Sequence, residues 1–552
     1  MNQFAILRPL AWACKVACAA VVGTLLGSVV AVIASAQPAS AAICSGSLQA
    51  KLDAAPAGAT VTADACIYRE QVSITKPLTL VGQTGSEIRG SNVWGEWTKL
   101  TSGNFRSSGS LPAFPQEDVS CEPDTQQCAW PEQVFIDGTP QQQVGPRSDP
   151  GAGQFKVNTS KNVVLGSNPR YKTVEVTVRR HWITGSSSAD GVTIRNFTMR
   201  HAANEWRSGA IQSRPLTTQN VDGTYAWARF KGDGDDWNVR DNVLLHAHGA
   251  ILSVRSRNAD VIGNEIAYGG QLGVHNLGHY SLLANNQIHH NNTERFCIAA
   301  GNCVGYSTDG DSTLPSSNVI ANLVESGGVK IAGGQRSVTV DHNKIYDNRG
   351  QGLWFDVGTY DITASNNRIH HNARRGLFFE ISDGATIFGN VIWENGWATP
   401  GHVDGAGIQI GNSRNVEVYG NTLAWNADGI AVVGLDREGT EYDAVTNVHV
   451  HDNTILQEDT DYPNDSKTVA LGWIQGWTTQ MFQSTANNSG KNNLYYYPIP
   501  EEKPRYEWDR TRYSSLVSFN STLGEENGRY LRNGEKDMVA ADKHIPANPE
   551  PH

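Results

Sequence analysis

The sequence predicts an all-β chain, a right-handed parallel β-helix interrupted by a small β-sandwich-like insertion, and three observations carry that expectation. The first is a repeat. Between Thr193 and Leu456, short apolar segments end in Asn followed two places on by an apolar residue, at Asn242, Asn264, Asn286, Asn322, Asn343, Asn367, Asn390, Asn421 and Asn453. The steps are 22, 22, 36, 21, 24, 23, 31 and 32 residues, a basic period of 21 to 24 lengthened by occasional loops, as in a solenoid. The second is that most copies open on Gly and a short alternating segment, as in Gly328-Val-Lys-Ile331 and Gly407-Ile-Gln-Ile410, with no helical spacing in between. The third is composition: 55 Gly and 15 Trp against 4 Met in 552 residues suit a turn-rich β protein better than a helical bundle. A leucine-rich repeat is excluded because its leucine consensus is absent, and a propeller needs longer blades.

Residues 1–42 hold Arg8 and Lys15 but no acid, with an apolar run from Val16 to Ala34 and then Ala39-Ser40-Ala41, the pattern of a cleaved secretory signal peptide. The competing reading is an uncleaved anchor, since the run is about long enough to span a bilayer. Residues 43–92 read as an N-terminal cap and first coils: Leu48 to Ala55 as a short amphipathic helix over the open end, then extended segments at Tyr68 to Ile74 and Leu78 to Gly82. Over 93–185 the period vanishes. Gln133-Val-Phe-Ile-Asp-Gly138, Gly153-Gln-Phe-Lys-Val157 and Thr173-Val-Glu-Val-Thr-Val178 read as antiparallel strands of the insertion. The core β-helix is expected over 186–456 and a C-terminal cap over 457–552.

A net charge of −11, becoming −13 once the leader's two cations are removed, excludes a phosphate-tracking nucleic-acid binder. No later segment resembles a membrane span, so the expected product is secreted and extracellular. Beyond Cys14 and Cys18 in the leader, six cysteines pair by proximity as Cys44 with Cys66, Cys121 with Cys128 and Cys297 with Cys303, disulfides being the default in an oxidising compartment. Recurrent Asn at one corner of parallel coils stacked about 4.8 Å apart can form side-chain ladders, a structural role.

Alternation sorts the Gly-led strands into two faces. Val329/Ile331, Leu353/Phe355, Leu377/Phe379 and Ile408/Ile410 are apolar and hence interior, which leaves Lys330, Trp354/Asp356, Phe378/Glu380 and Gln409 facing out. Asp356 and Glu380 stand 24 residues apart, one period, so they fall at equivalent positions of adjacent coils. Like charges opposed on neighbouring strands destabilise a sheet, and catalysis explains them: two carboxyls about 5 Å apart are the arrangement of retaining glycosidases. Mutual repulsion and nearby rings are expected to raise one pKa, keeping that group protonated as the acid. Trp354 and Phe378 offer flat faces for a sugar ring, while Lys330 and Gln409 supply hydroxyl-binding groups. The bland alternative is an exposed acidic pair bridged by Lys330 or a cation.

These strands, Gly352-Leu-Trp-Phe-Asp356 and Gly376-Leu-Phe-Phe-Glu380-Ile-Ser-Asp-Gly-Ala385, resemble the paired Trp-x-Asp and Phe-x-Glu strands of the parallel β-helix glycoside hydrolases that include β-xylosidases, family 120. The resemblance implies a β-helix interrupted by a β-sandwich, Asp356 as nucleophile, Glu380 as general acid/base and a xylose-type sugar. The motif itself covers about 35 residues, and subsite residues are not carried over.

Loops before Gly328 and Gly407 bring Asp309, Asp311, His402 and Asp404 toward the same face, with His402 and Asp404 as substrate-binding candidates and Glu325 close by. Gly232-Asp-Gly-Asp-Asp236 has the oxygen density for a structural calcium but lacks an EF-hand pattern; no cofactor or catalytic metal is expected. The leading function is a secreted retaining glycoside hydrolase on a polysaccharide or its oligosaccharides. The alternatives are a lyase or epimerase on a uronic-acid polymer, with Lys330 as base, and a non-catalytic carbohydrate-binding β-helix. A single Lys beside two acids, in an acidic chain, argues against the polyanion.

Overall fold

The computed structural model describes residues 42–114, 119–123, 127–214, 234–298, 303–306, 325–398, 403–437, 444–458, 468–532 and 534–551. Within them each coil crosses three sheets in turn, as in Thr339–Asp341, Lys344–Tyr346 and Gln351–Asp356. Stacked coils give a first sheet of 12 strands and second and third sheets of 13 strands each. Neighbouring coils pair in parallel and in register: Thr339 faces Thr363, Lys344 faces Arg368 and Leu353 faces Leu377. The inward residues of all three sheets, among them Val340, Ile345, Leu353 and Phe355, merge into one core running along the axis. With side chains alternating between faces, this stacking buries every second residue of each strand.

Two ladders of buried Asn hold the corners. Asn242, Asn264, Asn286, Asn343, Asn367, Asn390, Asn421, Asn453 and Asn493 each donate Nδ2 to the Oδ1 of the next, at 2.9 to 3.0 Å, up to Asn493, which donates to Glu525 at 2.8 Å. Asn291, Asn348, Asn372, Asn395 and Asn426 form the second ladder. One expected rung is corrected. Asn322 lies outside the described residues, and Asn286 bonds directly to Asn343, so no rung stands between those two.

The helix Leu48–Ala54, capped by the Ser47 side chain, puts Leu48 and Leu52 into the solenoid core and closes the N-terminal end. The C-terminal segment differs from the expected non-repeating cap. Leu471–Gln475, Ser489–Lys491 and Leu494–Tyr496 add parallel strands to all three sheets, so the coils continue past 457. This coil was hidden because 40 residues separate Asn453 from Asn493, far outside the basic period. The three disulfides join Cys44 to Cys66, Cys121 to Cys128 and Cys297 to Cys303, as the spacing predicted. Residues 1–41, nearly all of the expected leader, lie outside the described residues; among those described, no helix is long and apolar enough to cross a membrane.

Between Ser91 and Thr177 eight strands form one sheet whose two halves share Thr139–Gln143. That strand pairs antiparallel with Val134–Ile136 and then parallel with Gln154–Val157, so the insertion is not antiparallel throughout. Val134, Val174 and Val176 from one half pack with Phe155, Val163 and Leu165 from the other. The insertion is clamped to the coils by charge: Glu175 accepts from Arg69 and Arg89, each at 2.7 Å, and Glu122 from Arg349 at 2.6 Å. Burial works to raise the Glu175 pKa, but His201, Arg89 and Arg69 outweigh it and hold it down at about 2.

Two consequences are testable. Asn367→Ala removes a rung that both donates and accepts, taking the side-chain partner from the buried Asn343 backbone N–H and from the Val340 carbonyl; at about 1–3 kcal/mol for each orphaned group, chemical denaturation should show a loss of at least about 2 kcal/mol. Because the Glu175 carboxyl titrates lower in the folded than in the unfolded chain, its contribution is complete above about pH 4.5 and disappears as pH falls toward 2. Glu175→Gln should therefore lower the midpoint of thermal unfolding at pH 7 and remove that part of the acid dependence.

Candidate functional site

The outward side chains of the third sheet fall into two rows. Lys330, Trp354, Phe378 and Gln409 are register partners across four successive strands, and Ala332 faces Asp356 while Glu380 faces Gly411. Asp356 and Glu380 each follow a matched pair, Phe355 and Phe379, so they occupy corresponding places on adjacent coils, with backbones about 4.8 Å apart. Phe355 and Phe379 point inward and are fully buried, as the alternation requires.

Outward does not mean exposed here. Lys330 is 3% exposed, Asp356 5%, Trp354 6% and Gln409 4%, which corrects the expectation of an open acidic face. Lys330 Nζ bridges Asp356 Oδ2 at 2.9 Å and Glu325 Oε1 at 3.0 Å. The other oxygen of Asp356 accepts from the Val357 amide at 2.8 Å. Arg207 binds Glu325 through two guanidinium nitrogens. Glu380 accepts from Arg437 at 2.7 Å, and Arg375 bonds both Asp404 and Gln409, with Arg374 3.6 Å from Asp404. Five cationic side chains thus converge on this face, where the sequence reading counted one lysine. Arg374 and Arg375 were visible beside the Gly-led strand; Arg207 and Arg437 arrive from remote loops without any local signal.

The two aromatic rings are likewise not open platforms. Trp354 and Phe378 stack on each other at 5.7 Å and 20°, Lys330 Nζ sits 3.5 Å from the Trp354 ring centroid, and Arg375 lies 4.5 Å from that of Phe378. With cations over the outer faces of this stack, the rings present edges rather than faces. The Trp354 indole N–H is buried and has no hydrogen-bond partner among the described residues, an unsatisfied donor in the site. Gln409 gives its carbonyl oxygen to Arg375. Asp404 is half exposed at the rim. His402, Asp309 and Asp311 lie outside the described residues. Of the calcium candidates, Asp235 pairs with Arg214 at 3.0 Å and Asp236 accepts from Asn258 at 3.0 Å, while Gly232 and Asp233 lie outside the described residues.

Electrostatics separate the carboxyls. Glu380 is pushed up to about 7, first by burial and then by the Asp356 charge, with Arg437 and Arg375 pulling the other way. Glu325 is as deeply buried, yet Lys330 and Arg207 overcome that and hold it well below its ordinary value. Burial works against the Lys330 charge, but Glu325 and Asp356 outweigh it and raise its pKa, so it remains an ammonium.

Residues 228–423 match the family described as right handed beta helix region. The fold is a right-handed parallel β-helix. No curated protein matches the chain. Among solved structures it is similar to one titled the complex structure of XylC with xylose, at 15% identity and a TM-score of 0.57, covering 84% of this chain and 83% of that one. Similarity is weaker to the A-module of the Azotobacter vinelandii mannuronan C-5 epimerase AlgE6, at 10% identity and a TM-score of 0.39, with 88% and 94% covered. A structure titled glycoside hydrolase gives 10% identity and 0.36, with 89% and 90% covered. At these identities the likeness is one of β-helix fold.

Arg437 opposes the upward shift of Glu380, so Arg437→Ala should move the Glu380 titration above about 7. Carbon-13 NMR of labelled glutamate carboxyls, assigned with Glu380→Gln, would follow it.

Proposed function

We propose that this protein is a secreted retaining glycoside hydrolase acting on a polysaccharide or its oligosaccharides. The observation that carries the reading is the pairing of Asp356 with Glu380 on adjacent coils in opposite environments: one carboxyl held by an ammonium and an amide, the other keeping its proton to about pH 7. Carboxyl groups about 5 Å apart are the retaining geometry, in which no water fits between nucleophile and sugar, and equivalent positions on coils with backbones about 4.8 Å apart support it. Asp356 attacks the anomeric carbon as the glycosidic bond breaks, and Glu380 gives its proton to the departing oxygen. Glu380, now a carboxylate, takes a proton from water, whose oxygen displaces Asp356 from the sugar. Lys330 on Asp356 Oδ2 tempers the attack but stabilises the carboxylate released in the second step. The Trp354 N–H, without a partner among the described residues, supports a role in holding a sugar hydroxyl. The reaction needs no cofactor. The fold likeness to XylC, whose title names xylose, supports a xylose-type sugar, and the disulfides support an extracellular setting.

A second reading, a lyase or epimerase on a uronic-acid polymer, is favoured by the guanidiniums of Arg207, Arg374, Arg375 and Arg437. It is weakened at its base: Lys330 is clamped between two carboxylates with a raised pKa, and a protonated amine removes no proton.

The deciding experiment is hydrolysis of aryl glycosides and plant and bacterial polysaccharides by the protein without residues 1–42. Reducing ends are expected, with about 10²–10⁴-fold loss in Glu380→Gln and at least as much in Asp356→Asn. Rate should fall as pH rises through about 7, where Glu380 loses its proton, and Glu380→Gln should abolish that limb. Ultraviolet-absorbing unsaturated products, or activity that survives both substitutions, would overturn the assignment.

A further inference from the structure

A polar cavity lies away from the paired carboxylates, at the seam between the insertion and the outer face of the second sheet. Its volume is about 230 Å³, room for several waters or for one sugar ring in their place. The insertion contributes Glu132, Gln133 and Gln143; the coils contribute His246, Tyr268 and Glu294. Gln133 and Gln143 are each 7% exposed and lend their amide nitrogens to the neighbouring carboxyls, Gln133 to Glu294 at 2.7 Å and Gln143 to Glu132 at 3.5 Å. The Oε1 atoms of both glutamines are buried with no hydrogen-bond partner among the described residues. A buried acceptor left unpaired costs about 1–3 kcal/mol, so two of them on glutamines that line one cavity point to a ligand that brings donors.

The chemistry of the lining narrows that ligand. Burial raises the carboxyls of Glu132 and Glu294, the latter to about 7, so near neutral pH Glu294 divides between a carboxylate and a neutral acid that can also donate. Burial lowers His246 to about 4, leaving it uncharged. Among the described residues no lysine or arginine lines the cavity, so it offers an anion no opposite charge. A bare cation would compete for carboxylate oxygens that the two glutamine amides already engage. The His246 and Tyr268 rings stack at 4.8 Å and form an aromatic wall beside these acceptors. Acceptors in search of hydroxyls, a carboxyl that both donates and accepts, and an aromatic wall suit a neutral sugar. We infer that this seam binds one uncharged sugar residue, a carbohydrate site separate from that of Asp356 and Glu380. It ties the insertion to ligand binding, because neither the insertion nor the coils alone supply the full set of partners.

The test is titration of the unaltered protein with D-xylose, D-glucose, D-mannose and D-galactose, followed by calorimetry and saturation-transfer NMR. At least one should bind, and Gln143→Leu or Glu294→Gln should weaken that binding tenfold or more. Both variants should leave aryl-glycoside hydrolysis unchanged, and Glu380→Gln should leave the seam binding unchanged; the inference can thus fail while the hydrolase assignment stands, and the reverse. Should a variant unfold, a crystal of the unaltered protein soaked in the tightest-binding sugar decides, with a sugar ring in the seam expected. The inference is overturned if none of the four sugars binds, if both variants retain full affinity, if the seam holds only water, or if terbium or calcium rather than a sugar is what the variants lose.

Discussion

Everything about this molecule's outer face depends on the buried side-chain ladder that fixes each coil over the last. Parallel strands permit slippage, and a slip of one residue would turn Asp356 inward and Phe355 outward. The ladder prevents it, because each Asn amide must satisfy both its neighbour's carbonyl oxygen and a backbone carbonyl in a place where water does not reach. Asn367 donates to Asn390 at 3.0 Å and to the Val340 carbonyl at 2.8 Å while accepting from Asn343. An amide displaced by one residue loses all three. Glu525 ends the series by accepting from Asn493 and from Tyr495 at 2.6 Å, and burial keeps its pKa up at about 7. With register imposed at the corner, a separation of 24 residues becomes an opposition of two carboxyls on the third sheet.

Opposed carboxyls under cover would be intolerable without cations, and the distribution of cations is what makes the two outer acids unequal. Glu325 and Glu380 are buried to a similar degree. Glu325 touches both Lys330 and Arg207, whereas Glu380 touches Arg437 and faces the Asp356 charge. Burial alone would raise both; the cations that Glu325 receives bring it down, and Glu380 stays high. Lys330 is shared between Glu325 and Asp356, so its own charge is secured by two acids. The site is therefore a network in which no charge can be read from its strand alone.

That is also the boundary of what the sequence disclosed. The period of Asn and the alternation through Leu353, Trp354, Phe355 and Asp356 are local, and they carried the fold, the inside and outside of each strand, and the alignment of Asp356 with Glu380. The partners are not local. Arg207 meets Glu325 across 118 residues and Arg437 meets Glu380 across 57, both from loops whose length erases any spacing rule. The same effect let Asn322 be read as a rung between Asn286 and Asn343, which bond directly, and concealed the true one at Asn493 behind a long coil. The ring faces of Trp354 and Phe378 were misread for a related reason. Residues that stack along the axis of a parallel solenoid turn their planes toward each other, so one-per-coil aromatics cover their own faces.

The cation-rich cover bears on which chemistry the scaffold performs. A guanidinium can neutralise a uronate as readily as it can restrain a catalytic acid, so the presence of Arg375 or Arg437 does not choose between lyase and hydrolase. The proton inventory supports the hydrolase proposed above against the lysine-based elimination. Elimination needs a group able to accept a proton from carbon, and the lysine in reach, Lys330, holds its proton between two carboxylates. Displacement, the chemistry proposed above, needs a group able to give a proton near neutral pH, and Glu380, buried beside Asp356 and pushed up to about 7, suits that role. The arginines around Glu380 then set how far its pKa rises, high enough to retain the proton for the leaving oxygen and low enough to release it there.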